Sequence, residues 1–471
     1  MAKKKGITRR DFLKGVAGAA ALGTGATFLP RKAHAAKRTL RIWHTEASAV
    51  AVKAVQKVCD KFEQLHPDVK VFAEGLGWAG LGTKLTTSIA AGNPPDITHI
   101  QPYMYRSLQI KGELVPVDDV YNHLGIDNIF EAVRDIAHYD GKYWGISHEV
   151  GTPVLLIRKD LAEKAGYKVP KDWTKPMFKT WDEEIEYLEA VTDPKKGQWG
   201  MSLPGTAYFL QEHCGRWVAS NGGSFYDEKW NPVFDQDPFV GVLDFILTLS
   251  KKKIVPPDWL SQSWLGMIQE ICLGKTTLID HGYGRIALSI DKYAPGKASE
   301  DYFYPIWRPV GPLGEKSYTD LDAELWVVFS KSKNQDLAME WLKLFYERDL
   351  YLNYIAQYPV HMYPITKSLA NDPGYKALPE LKQWKAWIDI QAEYISRKQA
   401  LPVGIYAPHE LHIPFVMEVF DSGIIVDEIV SVVQGRRNPK QAGQRMTERT
   451  KELIKKIGYP VPDPIKAAKS A

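Results

Sequence analysis

The stretch that decides the fold is residues 39–100, which read TLRIWHTEASAVAVKAVQKVCDKFEQLHPDVKVFAEGLGWAGLGTKLTTSIAAGNPPDITHI. Three short β-prone runs lie at residues 39–44, 69–72 and 96–100. Apolar residues recur at helical spacing in the two segments between these runs. The order strand–helix–strand–helix–strand predicts a parallel sheet with right-handed crossovers.

The alternation of strands and helices continues along the chain. Further strands are predicted at residues 154–157, 277–280 and 325–329, and helices at residues 160–165, 181–191, 239–249, 264–273 and 336–356. The remainder reads mostly as helix, and the Pro-rich end, residues 458–471, is predicted to be a flexible tail. We therefore expect an α/β protein.

The basic excess of the chain is confined to its N-terminus. The 471 residues carry a formal net charge of +4, yet residues 1–35 hold eight Lys or Arg and one Asp. The remainder has three more acidic than basic residues, which argues against a nucleic-acid partner. Residues 8–14, TRRDFLK, resemble the twin-arginine export signal, and an apolar run follows before the A-x-A pattern that ends at Ala35. We predict a signal peptide cleaved near Ala35 and a soluble periplasmic protein.

Motifs for catalysis or metal binding are not found in the sequence. Cys59, Cys214 and Cys272 are too far apart for a C-x-x-C site, so they are expected to be buried thiols with at most one disulfide. The run HELH at residues 409–412 has its two His three positions apart, whereas a zinc protease needs four. The sequence predicts no catalytic residue, no metal and no cofactor. A secreted carbohydrate-active enzyme stays open as an alternative, because carboxylates are plentiful.

Several short segments match motifs of one protein family in the family's order. They are AAGNPPDI at residues 90–97, GELVPVD at 112–118, DGKYWGI at 140–146, RKDL at 158–161 and SKSKN at 330–334. Together they resemble the extracellular solute-binding proteins of ABC importers, the maltose-binding-protein-like sugar-binding class, from about residue 39 to residue 457. The chain departs from the family at residues 320–324, DLDAE, where many relatives carry Gly-Gly. The ligand specificity of those relatives therefore cannot be transferred directly to this chain.

The resemblance implies a monomer with two discontinuous α/β lobes. Each lobe would hold a mixed or parallel sheet flanked by helices, and hinge crossovers would join the lobes. The N-terminal lobe is expected over residues 37–147 and 278–328, and the C-terminal lobe over residues 148–277 and 329–457. The protein would capture a small polar solute by hinge closure and deliver it to a membrane permease, after export by the twin-arginine machinery.

Ligands of open α/β sheets bind beyond the carboxyl ends of strands. Residues near predicted strand ends and crossovers here combine aromatic rings with carboxylates, amides and hydroxyls, which suits a carbohydrate or polyol. The predicted ligand-binding residues are Trp43, Glu46, Trp78, Gln101, Tyr103, Glu149, Gly151, His281, Tyr283, Trp307, Asp322 and Tyr363. A cationic or zwitterionic solute, held by the acidic residues and an aromatic cage, stays open as an alternative ligand class.

Overall fold

The computed structural model describes residues 38–459. The predicted signal peptide, residues 1–35, lies outside the described residues, as does the predicted tail apart from residues 458 and 459. Every helix in the described part of the chain is too short or too polar to cross a lipid bilayer.

Strands and helices alternate along the chain, and the α/β prediction is confirmed. The strands are β1 (Arg38–His44), β2 (Val69–Gly75), β3 (Ile97–Ile100), β4 (Leu114–Val115), β5 (His138–Tyr139), β6 (Lys142–Tyr143), β7 (Ile146–Ser147), β8 (Val154–Arg158), β9 (Trp199–Ser202), β10 (Thr276–Gly282), β11 (Phe303–Ile306), β12 (Thr319–Leu321), β13 (Leu325–Phe329) and β14 (Ala400–Pro402). The α-helices are α1 (Ala49–Leu65), α2 (Gly77–Ala90), α3 (Pro102–Ile110), α4 (Asp118–Leu124), α5 (Glu131–Arg134), α6 (Lys159–Lys164), α7 (Trp181–Ala190), α8 (Ala207–Ser220), α9 (Asp237–Lys251), α10 (Trp264–Leu273), α11 (Ile286–Tyr293), α12 (Gln335–Phe345), α13 (Arg348–Ile355), α14 (Lys367–Ala370), α15 (Pro373–Lys376), α16 (Glu380–Gln383), α17 (Lys385–Ser396), α18 (Val416–Asp421), α19 (Ile424–Val433) and α20 (Pro439–Ile457).

The first sheet has the strand order β2–β1–β3–β13–β4, and β7 also pairs with β13. Strand β1 runs parallel to both neighbours, with Ile42 opposite Ala73 in β2 and Ile97 in β3. Helix α1 packs on β2 and buries the side chains of Val55 and Phe62. The parallel unit predicted from residues 39–100 is therefore confirmed.

The second sheet has the order β11–β8–β10–β9. Strand β10 is parallel to β9 and antiparallel to β8, and all of its residues are buried. Residues 276–306 therefore belong to the second lobe, so the prediction that residues from 278 onward lie in the N-terminal lobe was wrong for this segment. An apolar strand pattern shows that a strand is buried, but it does not show which sheet receives it.

The helices after β13 also lie in a different lobe from the one predicted. Both α12 and α13 pack on α1, and the ring of Trp341 in α12 lies 5.3 Å from that of Trp326 in β13. Residues 335–355 therefore complete the first lobe, although the sequence analysis placed residues 329–457 in the second. Helix α17 packs on β11 and β8, and α19 and α20 pack on α9, so these three helices lie in the second lobe.

Three segments, which we call the crossovers, carry the chain between the lobes: residues 148–153, 319–324 and 356–384. The first pairs with the second through reciprocal backbone bonds between Gly151 and Asp322, at 2.9 and 2.8 Å. It pairs with the third through Val150 and Tyr363, at 3.1 and 2.9 Å. Any side chain at position 151 would overlap the carbonyl oxygen of His361, so only glycine permits this close approach.

The three cysteines are buried free thiols. Cys59 lies in α1, Cys214 in α8 and Cys272 in α10. No disulfide bond joins any two of these three residues, which agrees with the expectation of at most one.

Candidate functional site

The strand ends of the two sheets meet between the lobes. Glu46 follows β1 in the first lobe and Arg285 follows β10 in the second, and the Arg285 guanidinium donates to both carboxylate oxygens of Glu46 at 2.6 and 2.8 Å. Gln101 follows β3 at the start of α3, while His281 and Tyr283 flank the end of β10. Because ligands of open α/β sheets bind beyond such strand ends, this interlobe face is the candidate site.

Each lobe contributes an aromatic ring to the interlobe face. Trp78 of α2 and Tyr208 of α8 are both partly exposed, and their rings are 10° from parallel with centroids 6.4 Å apart. The indole N–H of Trp78 donates to Glu324 Oε1 at 2.6 Å, which fixes the ring orientation. The two ring faces can therefore pack against the C–H surface of a small ligand.

The interlobe face also has buried polar atoms without a hydrogen-bond partner among the described residues. They are Oε1 of Gln101 and Oε2 of Glu212, the latter on α8 one turn after Tyr208. Burial and the neighbouring Asp320 carboxylate hold the pKa of Glu212 well above its usual value. Leaving such atoms unpaired costs about 1–3 kcal/mol each, so the face suits a ligand that supplies hydroxyl groups.

The acidic groups around Arg285 differ in charge. Burial alone would raise the pKa of Glu46, but the paired guanidinium outweighs this and the pKa is lowered. Glu149 Oε1 lies 3.5 Å from the same guanidinium, and burial raises its pKa to about 8. Glu46 is therefore ionised at neutral pH, whereas Glu149 is largely protonated.

Glu324 is the centre of a hydrogen-bond network that connects the strand ends to the second crossover. Its Oε2 accepts from the Thr45 hydroxyl at 2.8 Å and lies 3.2 Å from His148 Nε2. The other ring nitrogen of His148 is bonded to the Tyr354 hydroxyl at 3.0 Å. Burial, followed by the Glu46 charge, raises the pKa of Glu324 to about 7. This network holds the carboxyl group that positions Trp78.

Most of the predicted ligand-binding residues lie in two neighbouring places. Those at the interlobe face are Glu46, Trp78, Gln101, Tyr103, His281 and Tyr283, and those in the crossovers are Glu149, Gly151, Asp322 and Tyr363. Tyr103 is buried and stacks on Phe420 of α18, with 4.5 Å between ring centroids. The proximity of these residues is a finding, while their contacts with a ligand stay predictions.

Trp43 and Trp307 do not lie at this face. Trp43 is 5% exposed in the apolar core of the first lobe, with the Lys84 ammonium 4.4 Å from its ring centre. Trp307 packs on Tyr394 of α17 at 4.3 Å, within a separate apolar cluster. The prediction of a ligand role conflicts with this packing. Helices cover both faces of these sheets, so a residue at a strand end can point into the core.

Two other predicted ligand-binding residues, Gly151 and Tyr363, have surroundings that do not suit a polar solute. The backbone N–H and C=O of Gly151 are both bonded to Asp322, so its role is to pack the crossovers. Tyr363 lines a cavity of about 730 Å³ whose other walls are chiefly apolar, among them Ile136, Ile395 and Leu401. That lining offers few hydrogen bonds, so this cavity does not suit a polar solute and we assign the site to the interlobe face instead.

The sequence analysis missed Tyr208, Glu212 and Phe420. Tyr208 and Glu212 occupy positions i and i+4 on α8, which places them on one side of the helix. Helix α8 follows strand β9, which the sequence analysis did not identify. Recognising β9 would have drawn attention to the start of α8 as another strand-end position. Phe420 carries no such signal, because it reaches the site from a helix near the C-terminus.

Comparison with known proteins shows which family has this arrangement. The profile of the family described as bacterial extracellular solute-binding protein matches residues 47–351. The mannitol-binding protein of Pseudomonas aeruginosa is 27% identical over 201 residues, which cover 42% of this chain and 45% of that protein. The arabinooligosaccharide-binding protein of Halalkalibacterium halodurans is 26% identical over 183 residues, covering 38% and 39%. The matched stretches thus span less than half the length of these curated relatives.

Solved structures share the fold over most of the chain. MalE3 of T. maritima with maltose bound has a TM-score of 0.72 and 18% identity, covering 88% of this chain and 99% of that one. An ABC transporter solute-binding protein of Agrobacterium vitis with bound D-mannitol has a TM-score of 0.72 and 23% identity, covering 90% and 100%. The likeness confirms the expected two-lobed fold.

Proposed function

Since this chain belongs to the bacterial extracellular solute-binding protein family, we propose that it is the substrate-binding component of an ABC importer and captures a small polyol or sugar. The observation that supports this most is the interlobe face, which combines the rings of Trp78 and Tyr208 with unpartnered buried oxygens of Gln101 and Glu212. A linear polyol offers C–H groups to the rings and hydroxyls to the oxygens. D-mannitol is the first candidate, because a mannitol-binding protein is among the relatives and a structural neighbour holds D-mannitol.

The proposed mechanism is hinge closure. A ligand that contacts Gln101 of the first lobe and Glu212 of the second stabilises only the state in which both lobes reach it. The crossovers are the segments whose backbone angles would change as the lobes move. The solute would then pass chemically unchanged to a permease in the membrane. The twin-arginine pattern at residues 8–14 supports export to the periplasm.

A cationic or zwitterionic solute is the second candidate. The two guanidinium groups near the interlobe face are already engaged, Arg285 with Glu46 and Arg216 with Asp320. They therefore leave the buried carboxyl groups of Glu212, Asp322 and Glu324 incompletely balanced. A positive ligand would relieve this imbalance, and Trp78 could face its charge through a cation–π contact.

Calorimetric titration of the untagged protein tests the proposal. The panel should contain D-mannitol, ribitol, maltose, choline and glycine betaine. We expect saturable one-to-one binding of a polyol or sugar, which raises the free energy of unfolding by about 2.7 kcal/mol at a ligand concentration of 100 Kd. NMR of the released ligand should show it unchanged.

Three outcomes would contradict the proposal. Binding of choline or betaine alone would favour the cationic candidate. Chemical conversion of the ligand would favour a carbohydrate-active enzyme. If no polyol or sugar of the panel binds, the proposed ligand class is wrong.

A further inference from the structure

Each of the three crossovers brings one side chain of metal-ligand type to a common point. Glu149 comes from the first crossover, Asp322 from the second and His361 from the third. His361 Nε2 lies 3.5 Å from Glu149 Oε1 and 3.5 Å from Asp322 Oδ2. All three residues are more than nine-tenths buried. Two carboxyl groups and an imidazole therefore converge in a place with little solvent.

The polar atoms at this point are not satisfied by protein partners. Both ring nitrogens of His361 and Oε2 of Glu149 make no hydrogen bond within residues 38–459. The His361 ring is held edge-to-face by Tyr283, with 5.3 Å between ring centroids. Buried polar groups in folded proteins are almost always paired, so an unpaired imidazole aimed at two carboxyl groups indicates a ligand that binds all three.

The local balance of charge also favours a cation. Glu46, Glu149, Asp322 and Glu324 are buried together, and Arg285 is the nearby cationic side chain. Its guanidinium makes its two short contacts with Glu46 and lies 3.5 Å from Glu149, leaving Glu149 Oε2 free. A divalent cation can compensate these buried carboxyl groups by taking the place of the protons that the metal-free protein holds there.

We infer that Glu149, Asp322 and His361 form a zinc-type divalent cation site that ties the three crossovers together. Zinc bonds of about 2.0–2.2 Å at tetrahedral angles place neighbouring ligand atoms about 3.4 Å apart, close to the two 3.5 Å separations from His361 Nε2. One imidazole and two carboxylates are ligands that zinc accepts, with a fourth position left open. The inference goes beyond the proposed solute binding and does not depend on it.

A neighbouring group of similar residues is a weaker candidate. His99, His148 and Glu324 also lie close together. However, His148 Nε2 is hydrogen-bonded to Glu324, and His99 Nδ1, the ring nitrogen nearest Glu324, is bonded to Thr45 at 2.9 Å. The ring nitrogens that face Glu324 there already have hydrogen-bond partners, whereas both ring nitrogens of His361 have none among the described residues.

Zinc titration of the untagged, EDTA-treated protein, without any polyol, tests the inference. We expect saturable one-to-one binding by calorimetry and a matching zinc content after dialysis. Asp322→Asn and His361→Gln should each weaken zinc binding by about tenfold or more, and Glu149→Gln should do the same if either of the others fails to fold. Magnesium should bind far more weakly, because it prefers octahedral oxygen ligands. His412→Gln is the matched control, since it alters a partly buried His bonded to Tyr105 and should leave zinc binding unchanged.

Three results would overturn the inference. The first is absence of saturable zinc binding by the wild-type protein. The second is unchanged zinc affinity in folded His361→Gln and Asp322→Asn. The third is loss of zinc in His148→Gln with retention in His361→Gln, which would move the site to the neighbouring group. Because no polyol is present, none of these results bears on solute capture.

Discussion

Arg285 and Glu46 form a bidentate ion pair that crosses between the lobes, with N–O distances of 2.6 and 2.8 Å. Glu46 is buried at the end of the first sheet, and Arg285 stands just beyond β10 of the second. The contact therefore stabilises the approach of the lobes as well as the charge of Glu46. Its strength can be measured separately from ligand binding.

We expect Arg285→Ala to lower the free energy of unfolding by about 3 kcal/mol, because it leaves Glu46 buried without a counter-ion. Glu46→Gln alone should cost less, and the double variant should cost less than the sum of the two single variants. Urea denaturation of the four proteins gives the coupling energy.

A matched control for this cycle is available on the surface. Arg38 and Asp336 form the same bidentate contact at 2.6 and 2.8 Å, but both side chains are exposed. The cycle of Arg38→Ala with Asp336→Asn should give a coupling energy below about 1 kcal/mol. Equal coupling energies for the two pairs would show that burial at the interlobe face does not strengthen the Arg285–Glu46 ion pair.

Trp78→Ala should weaken polyol binding by at least about tenfold, or 1.4 kcal/mol, because it removes a ring face from the interlobe face. The ligand-free protein should lose about 1–3 kcal/mol of stability at most, since Trp78 is only partly buried and its removal leaves one hydrogen bond of Glu324 unmade. Calorimetric titration with the best ligand from the panel measures the change in affinity.

Trp43→Ala is the matched comparison for Trp78→Ala. It should destabilise the ligand-free protein by about 3–5 kcal/mol, because Trp43 is buried in the core of the first lobe. Its affinity for the polyol should stay unchanged as long as the protein is folded. A loss of affinity without a loss of stability would place Trp43 at the ligand after all.

Glu212→Gln should leave polyol affinity within about threefold, whereas Glu212→Ala should weaken it by about tenfold or more. Burial and Asp320 hold the pKa of Glu212 well above its usual value, which favours the neutral carboxyl group that an amide can replace. If the Gln variant loses as much affinity as the Ala variant, the ligand requires a carboxylate charge, and the cationic candidate gains support.

The stability of the metal-free protein should fall as the pH rises from 6.5 to 8. Burial raises the pKa of Glu149 from 4.5 to about 8 and that of Glu324 to about 7. In this range the unfolded state has lost these protons while the native state still holds them, so the free energy of unfolding falls, on the order of 1 kcal/mol. The pKa of His361 is lowered from 6.5 to about 3, so the native state holds this His neutral while the unfolded state loses its proton near pH 6.5. This His therefore contributes a smaller change of opposite sign, confined to the lower end of the range.

Urea denaturation across this pH range measures the effect. Glu149→Gln should make the decrease of the free energy of unfolding with pH smaller. Part of the decrease should remain, because other buried acids such as Glu184 also have a pKa of about 8. Asp336→Asn is the control: the pKa of Asp336 is about 2, so its titration is complete below the range and the slope should not change. A slope that is the same in Glu149→Gln and the wild type would contradict the expectation.

Local patterns were sufficient for part of this structure. The strands near residues 39–44, 69–72 and 96–100 and the helices between them follow from alternation and helical spacing, because each element must bury its own apolar side. Ligands of open α/β sheets bind beyond the carboxyl ends of strands, which meet at one edge of the sheet. This principle led to the prediction of Glu46, Gln101 and His281.

The lobe that receives an element depends on long-range packing. Residues 278–306 and 335–355 were assigned to the wrong lobes, because the apolar face of a strand or helix is compatible with either sheet. The same limit applies to single side chains. Trp43 and Trp78 both lie near strand ends, yet one packs into the core and the other lies at the interlobe face.

The sequence by itself determined the α/β class, the first parallel unit and several of the residues that meet at the interlobe face. Only the tertiary structure decided the lobe boundaries, the pairing of Arg285 with Glu46, and the meeting of Glu149, Asp322 and His361. Those residues lie far apart in the chain and share no motif. The physical reason is that periodicity specifies which side of an element is buried, whereas contacts between distant residues arise only when both sheets and the three crossovers pack together.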